Sequence, residues 1–207
     1  MLGYILIAII SYLIGNISTS YIIAKRVAGV DIRTKGSGNA GSTNVMRTLG
    51  KKAGAFTFAG DVLKGVVSVL LGGFISGLFG MDPLIGKYIA VVAVVSGHNW
   101  PALLGFRGGK GVATSLGAML AVNPIAALSC LGVFIIIVVV TKYVSLGSVL
   151  SISCSPFIML YTGNKPGLIV TTFLALSVIF SHRTNIKRLM NGTEGKIGDK
   201  KKENEKI

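Results

Sequence analysis

Six long stretches of this chain are almost free of charge, and they exclude most of what 207 residues can fold into. They cover residues 2–24, 53–79, 86–104, 112–141, 143–162 and 167–182. Apolar runs near twenty residues match the thickness of a lipid hydrocarbon core, and only helices or closed barrels satisfy their backbone there. The chain is 51% hydrophobic with a mean hydropathy of +0.71, too apolar for a soluble domain of this size. The expectation is an all-α, polytopic integral membrane protein. The first run starts at residue 2 without a basic leader and passes Ile14 without a small-residue cleavage site, so it reads as a retained span.

The run 112–141 decides the count. As one helix it would be about 45 Å long at about 1.5 Å per residue, more than a bilayer needs. Asn123-Pro124 stands in its middle, and proline disfavours a continuous helix. If the run is two helices, 18 of the 21 Lys and Arg residues fall on one side of the membrane. With a single helix, Lys142 and the basic C-terminal stretch move across. The positive-inside rule therefore favours seven transmembrane helices, the N-terminus outside and the C-terminus cytoplasmic. The same rule accounts for the net charge of +14 without a nucleic-acid partner. Residues 1–195 read as one transmembrane domain. Residues 196–207 read as a disordered basic tail.

Three polar segments interrupt this scaffold, all on the basic side in the seven-helix reading. Residues 36–47 run Gly-Ser-Gly-Asn-Ala-Gly-Ser-Thr-Asn-Val-Met-Arg. A plain glycine-rich linker would be expected to mix Lys and Glu among its glycines. Instead Ser37, Asn39, Ser42, Thr43 and Asn44 are neutral donors with no carboxylate, and Arg47 follows one helical turn after Asn44. Glycines such as Gly38 let backbone N–H groups approach a ligand, so the segment is equipped to hold an anion such as phosphate.

The second segment is Gly97-His98-Asn99-Trp100-Pro101 with Gly105-Phe106-Arg107-Gly108-Gly109-Lys110-Gly111. A glycine run entering a helix offers its N-terminal N–H groups to an anion. The Walker A spacing is absent. Lys110 is the best phosphate contact, with Gly108, Gly109 and Gly111 around it. Arg107 fits an interface residue equally well. For His98 a structural hydrogen bond and a functional role stand level.

The third segment, Ser181–Glu194, places His182, Asn185 and Arg188 on one helix face, while Arg183 and Lys187 suit lipid headgroups. Glu194 is expected to make a structural salt bridge rather than act as a base. Ser148, a turn into its helix, adds a possible hydroxyl to the site. Asp61 and Lys64, inside an apolar run, are either functional or mutually neutralising. Cys130 and Cys154 read as small buried hydrophobes, and the two histidines are too far apart in sequence to suggest a metal site.

Together the three segments resemble the PlsY family of bacterial acyl-phosphate:glycerol-3-phosphate acyltransferases, in order, spacing and length, over residues 1 to about 195. The resemblance implies seven transmembrane helices in the bacterial cytoplasmic membrane, with the site at the cytoplasmic face. It implies transfer of an acyl group from acyl phosphate to the 1-hydroxyl of glycerol 3-phosphate, the first step of phospholipid synthesis, giving lysophosphatidic acid and phosphate. The expected partners are those two substrates and membrane lipids. No cofactor is expected. By resemblance, Ser37, Arg47, Lys110, His182 and Asn185 carry catalysis. Gly38, Asn39, Thr43, Asn44, Gly108, Gly109, Gly111 and Ser148 join them in binding.

The residues also constrain the mechanism. Five positions after His98 comes Leu103, and five after His182 comes Lys187, so no carboxylate follows either histidine in the HxxxxD arrangement of other glycerolipid acyltransferases. An acyl phosphate is already activated and chiefly needs its departing charge neutralised. The hydroxyl proton can leave to a substrate phosphate oxygen or to His182, with substrate assistance favoured; a covalent acyl-Ser37 lacks an evident base. A transporter for a phosphorylated solute fits less well, because the donors gather on one side and no inverted repeat is visible. Gly72, Gly73 and Gly77 permit close packing within the chain or between chains.

Overall fold

The computed structural model describes residues 1–198, and all its regular structure is helical. Ten α-helices follow in order: α1 Leu2–Asn16, α2 Thr19–Ala28, α3 Ser42–Leu49, α4 Lys51–Leu78, α5 Pro83–Asn99, α6 Val112–Val122, α7 Pro124–Thr141, α8 Val144–Tyr161, α9 Lys165–Ser181 and α10 Arg183–Met190. Short 3₁₀ turns occupy Ile32–Thr34 and Ala102–Leu104.

The helix starts follow from local chemistry. Asp82, Asn123 and Asn164 each cap a helix by accepting a backbone N–H, from Leu84 at 2.7 Å, Ala126 at 3.0 Å and Gly167 at 2.9 Å. A proline in the first turn follows each cap, where its missing N–H costs nothing. The run 112–141 is thus two helices, broken at Asn123-Pro124. The run 2–24 is broken as well. α1 ends at Asn16, and Ser18 caps α2 by accepting the Tyr21 N–H at 3.4 Å.

Helix α5 lies at the centre, packed on α1, α4, α6 and α9, and Ala90, Val91, Val94 and Val95 are wholly buried. Backbones approach closely at two glycine contacts. A Cβ on Gly15 of α1 would fall 2.9 Å from the Gly97 Cα of α5. One on Gly117 of α6 would fall 2.7 Å from the Val62 carbonyl carbon of α4. Gly72 packs against Ala90 and Gly86 of α5, so its role lies within the chain, whereas Gly77 faces open space.

The surface is apolar where a soluble protein's would be polar. Ile5, Ile9 and Leu13 on α1, Phe56, Leu63, Leu70 and Phe74 on α4, and Ile136, Val139 and Val140 on α7 are exposed. Some inward-turned hydroxyls satisfy themselves on their own helices, as Thr57 does on Ala53 O and Thr171 on Gly167 O.

The expected count of seven spans does not hold. Four helices are long and apolar enough to cross a membrane: Leu2–Ala28 (taking α1 and α2 together), Lys51–Leu78, Pro124–Thr141 and Val144–Tyr161. A fifth is added if α9 and α10, bent by 61° at His182, count as one span. The shortfall has physical causes. α6 has 11 residues, about 16 Å at about 1.5 Å per residue, well short of a hydrocarbon core. α5 stops after 17 residues at Trp100-Pro101, carries Lys87, and spends its length as the buried centre. The side assignment of the termini, built on seven spans, loses its basis. Of the tail expected over 196–207, residues 199–207 lie outside the described residues, and Ile197 donates its N–H to Lys142 O at 2.9 Å.

Candidate active site

The three polar segments meet. One cavity of about 280 Å³ is lined from the first by Ser37, Asn39, Ser42, Thr43, Asn44 and Arg47. The second contributes Lys110 and Gly111, and the third His182, Asn185, Arg188 and Glu194. Ser145 and Ser148 of α8 complete the wall.

Helix ends make this cavity suited to an anion. α3, α6 and α8 begin at it, and none of the three has a side-chain cap. Apart from Asn44 N–H, which donates to Gly41 O at 3.1 Å, their first-turn N–H groups lack intrahelical acceptors, so three positive helix ends stand around one space.

Each predicted residue has a definite place. Asn44 organises its loop: its Oδ1 accepts the Ser37 N–H at 2.9 Å, and its Nδ2 donates to Ile32 O, Lys35 O and Asn39 O. Gly36 adopts φ +61, and a Cβ there would strike the Asn44 carboxamide. Arg47, in the last turn of α3, donates to Gly195 O at 3.0 Å. Ser148 donates to Val144 O at 2.9 Å, so offering its proton to a ligand requires giving up that bond by turning the O–H about Cβ–Oγ. Gly38, Gly108 and Gly109 do not line the cavity. Gly108 and Gly109 instead join two loops: Gly109 N–H donates to His98 O at 3.0 Å and Gly108 O accepts from Ala40 N–H at 3.4 Å.

Lys110 is the cation that the second segment brings to the cavity wall. Its Nζ donates to Asn185 Oδ1. Asn185 Nδ2 in turn donates to Glu194 Oε1 at 2.6 Å, which fixes the amide so that its oxygen faces Lys110. Glu194 also accepts from Ser145 at 2.8 Å and forms an ion pair with Arg188 at 2.8 Å. Burial works to raise the Glu194 carboxyl, but the bonds from Asn185, Arg188 and Ser145 hold it below its ordinary value. Burial depresses Lys110 to about 8; Glu194 works to raise it, and Arg188 and Arg47 work to lower it. His182 donates from Nδ1 to Val178 O at 2.8 Å, because a carbonyl can only accept.

Sequence reasoning left several wall residues outside the site, Asp61, His98 and Ser145 among them. Asp61 and His98 line the cavity beside Phe58, and they belong to one buried cluster. Lys64 Nζ lies 3.0 Å from Asp61 Oδ1 and 2.8 Å from His98 Nδ1. The signal was present in an acid–base pair inside an apolar run, but a sequence does not show that His98 joins it.

A second, apolar cavity of about 80 Å³ adjoins the first, with Phe58, Val112 and Phe134 common to both. It runs between α6, α7 and α8 past Leu116, Met119, Ala127 and Ile152.

An anion pocket opening onto an apolar slot, in a helical scaffold with an apolar exterior, defines a membrane enzyme that joins a polar phosphate compound to a fatty one. The chain belongs to the glycerol-3-phosphate acyltransferase family, whose model matches residues 5–192. It is 69% identical to the glycerol-3-phosphate acyltransferase of Clostridioides difficile strain 630, over 96% of this chain and 98% of that one. It is 49% identical to that of Thermoanaerobacter sp. strain X514, over 95% and 96%. A crystal structure of PlsY (YgiH), an integral membrane glycerol 3-phosphate acyltransferase in its glycerol 3-phosphate form, superposes with a TM-score of 0.84 at 37% identity, over 94% of this chain and 96% of that one. The lysophosphatidic acid form gives 0.81 at 36%, over 94% and 95%. The protein is an acyltransferase and a multi-pass bacterial membrane protein.

Proposed function

We propose that the polar cavity holds the phosphates of both substrates, with Ser37, Arg47, Lys110, His182 and Asn185 as its catalytic groups, and that the apolar slot holds the acyl chain. The reaction is transfer of the acyl group from acyl phosphate to the 1-hydroxyl of glycerol 3-phosphate. The hydroxyl oxygen bonds to the acyl carbon, the acyl–phosphate C–O bond breaks, and phosphate leaves. Arg47, Lys110 and the open ends of α3, α6 and α8 stabilise the charge that collects on it. Positioning supplies much of the rest.

The hydroxyl proton goes to a phosphate oxygen. His182 is the protein's alternative acceptor, but its Nδ1 is held by a neutral carbonyl and not by a carboxylate. Glu194 is committed to Ser145, Asn185 and Arg188. An imidazolium would therefore form near the Lys110 cation with no counter-charge of its own, which disfavours it. Basic residues concentrate at this end of the molecule (Arg47, Lys110, Lys187, Arg188), which supports a cytoplasmic-facing site by the positive-inside rule. Residues 1–195 form one acyltransferase unit, with 196–207 appended to it.

The observation that carries the reading is the convergence of Arg47, Lys110 and Asn185 on a cavity that shares three wall residues with an apolar slot. The test is phosphate release by purified protein in lipid, given palmitoyl phosphate with and without glycerol 3-phosphate. Lys110→Met should abolish release and His182→Gln should keep it measurable. A His182→Gln protein as inactive as Lys110→Met, with glycerol 3-phosphate affinity retained, would overturn substrate assistance.

A further inference from the structure

His98 sits in the wall of the polar cavity, and the reaction above gives it nothing to do. Its protonation form can be deduced from its neighbours. Lys64 is 7% exposed, and its Nζ meets Ile17 O at 2.9 Å, Gly15 O at 3.3 Å, Asp61 Oδ1 at 3.0 Å and His98 Nδ1 at 2.8 Å. Asp61 is 2% exposed, and a buried carboxylate requires a cation beside it. Lys64 is that cation. An ammonium group has three protons and no lone pair, so it can only donate. His98 Nδ1 therefore accepts from Lys64, and the ring proton lies on Nε2. An imidazolium is excluded while this bond stands, because both its nitrogens would be donors.

The ring is also held in place. A Cβ on Gly109 would collide with His98 Nε2, so the glycine makes room for the ring beside the backbone that leads into Lys110. Gly109 N–H donates to His98 O at 3.0 Å, which fixes that spacing. His98 Nε2 has no hydrogen-bond partner among the described residues. His182 is its opposite: Nδ1 carries the proton, donated to Val178 O, and Nε2 keeps a lone pair. One cavity thus holds one imidazole that gives a proton bond and one that takes it.

We propose that His98 is a further catalytic residue, a neutral imidazole held in the Nε2–H form by Lys64, which donates to a phosphate oxygen of the bound substrates. Lys64 and Asp61 are positioning residues that act through it. The proposal rests on the acyltransferase reading of the cavity. A neutral donor can hold a phosphate oxygen without adding charge to the Arg47, Lys110 and Arg188 cations already in the wall.

The chain has two histidines, so selective ¹⁵N-histidine labelling of protein in lipid gives two ring systems. Wild type should show one Nε2–H and one Nδ1–H tautomer, and His98→Gln should remove the first only. Adding n-decyl phosphate, an unreactive donor mimic, or glycerol 3-phosphate should shift the Nε2–H resonance. A shift with the first alone places the contact on the donor, a shift with the second alone on the acceptor, and either supports the proposal. His98→Ala should lose roughly tenfold to a hundredfold in kcat/KM, with His98→Gln recovering part through its carboxamide N–H. An Nδ1–H tautomer at His98, or no shift with either phosphate in protein that turns over, would overturn it. So would unchanged kcat/KM in His98→Ala. Failure of the wild type to release phosphate in response to glycerol 3-phosphate would instead remove the acyltransferase reading itself.

Discussion

Lys110 carries its charge where burial resists it, and that sets a pH dependence. Its pKa is depressed to about 8, so the charged form is lost as pH rises through that value. In the free enzyme kcat/KM for glycerol 3-phosphate should therefore fall above pH about 8. A bound dianion favours the ammonium form, so the basic limb of kcat should lie higher than that of kcat/KM. Lys110→Arg should remove this limb from the accessible range, because a guanidinium stays charged. A limb unchanged by Lys110→Arg would assign it to another group. Asp61 and Lys64 make a second prediction at this scale. Asp61→Asn leaves a buried cation without its counter-charge and should cost about 3–5 kcal/mol in unfolding free energy. Adding Lys64→Met should restore most of that stability, measured by denaturation in detergent. If the double variant is no more stable than the single one, the pair is not the charged unit described.

The helices show which parts of the fold sequence could display. The break at Asn123-Pro124 was legible because a capping amide followed by proline is a local signal. Clustering of the three donor segments was legible from their shared chemistry, and ten of the thirteen predicted site residues line one cavity: Ser37, Asn39, Thr43, Asn44, Arg47, Lys110, Gly111, Ser148, His182 and Asn185. The span count was not legible. Hydropathy treats α5 and α6 as lipid-seeking, whereas α5 is apolar because other helices cover it and α6 because it packs on α4. Nor was the organising role of Asn44, which depends on three carbonyls brought round by the turns at Gly36 and Gly38. The α4–α6 contact yields a prediction. Gly117→Ala would press a methyl into the Val62 backbone and should destabilise by about 1–3 kcal/mol. Gly77→Ala, on the same α4 but facing open space, should be neutral or stabilising by up to about 1 kcal/mol. Thermal unfolding in detergent separates the two, and equal effects would mean the close approach is not what holds α6 in place.

At the scale of the whole molecule, the two cavities divide the substrates by their chemistry and join at Phe58, Val112 and Phe134. The depth of the apolar slot follows from helix geometry. α6 runs away from the polar cavity, and Met119 lies seven residues beyond Val112, about 10 Å further along at about 1.5 Å per residue. α7 returns toward the cavity, so Ala126 and Ala127 near its start stand at the far end and Phe134 near the junction. A bulky group at the far end should then shorten the tolerated acyl chain without touching phosphate recognition. Ala127→Phe should lower kcat/KM for palmitoyl phosphate relative to decanoyl phosphate by roughly tenfold to a hundredfold, since each excluded methylene is worth about 1–3 kcal/mol in a fitted pocket. KM for glycerol 3-phosphate should be unchanged, because no residue of the far end lines the polar cavity. A uniform loss across chain lengths would mean that the substitution disturbs packing between α7 and α8, and that the acyl chain lies elsewhere on the apolar surface.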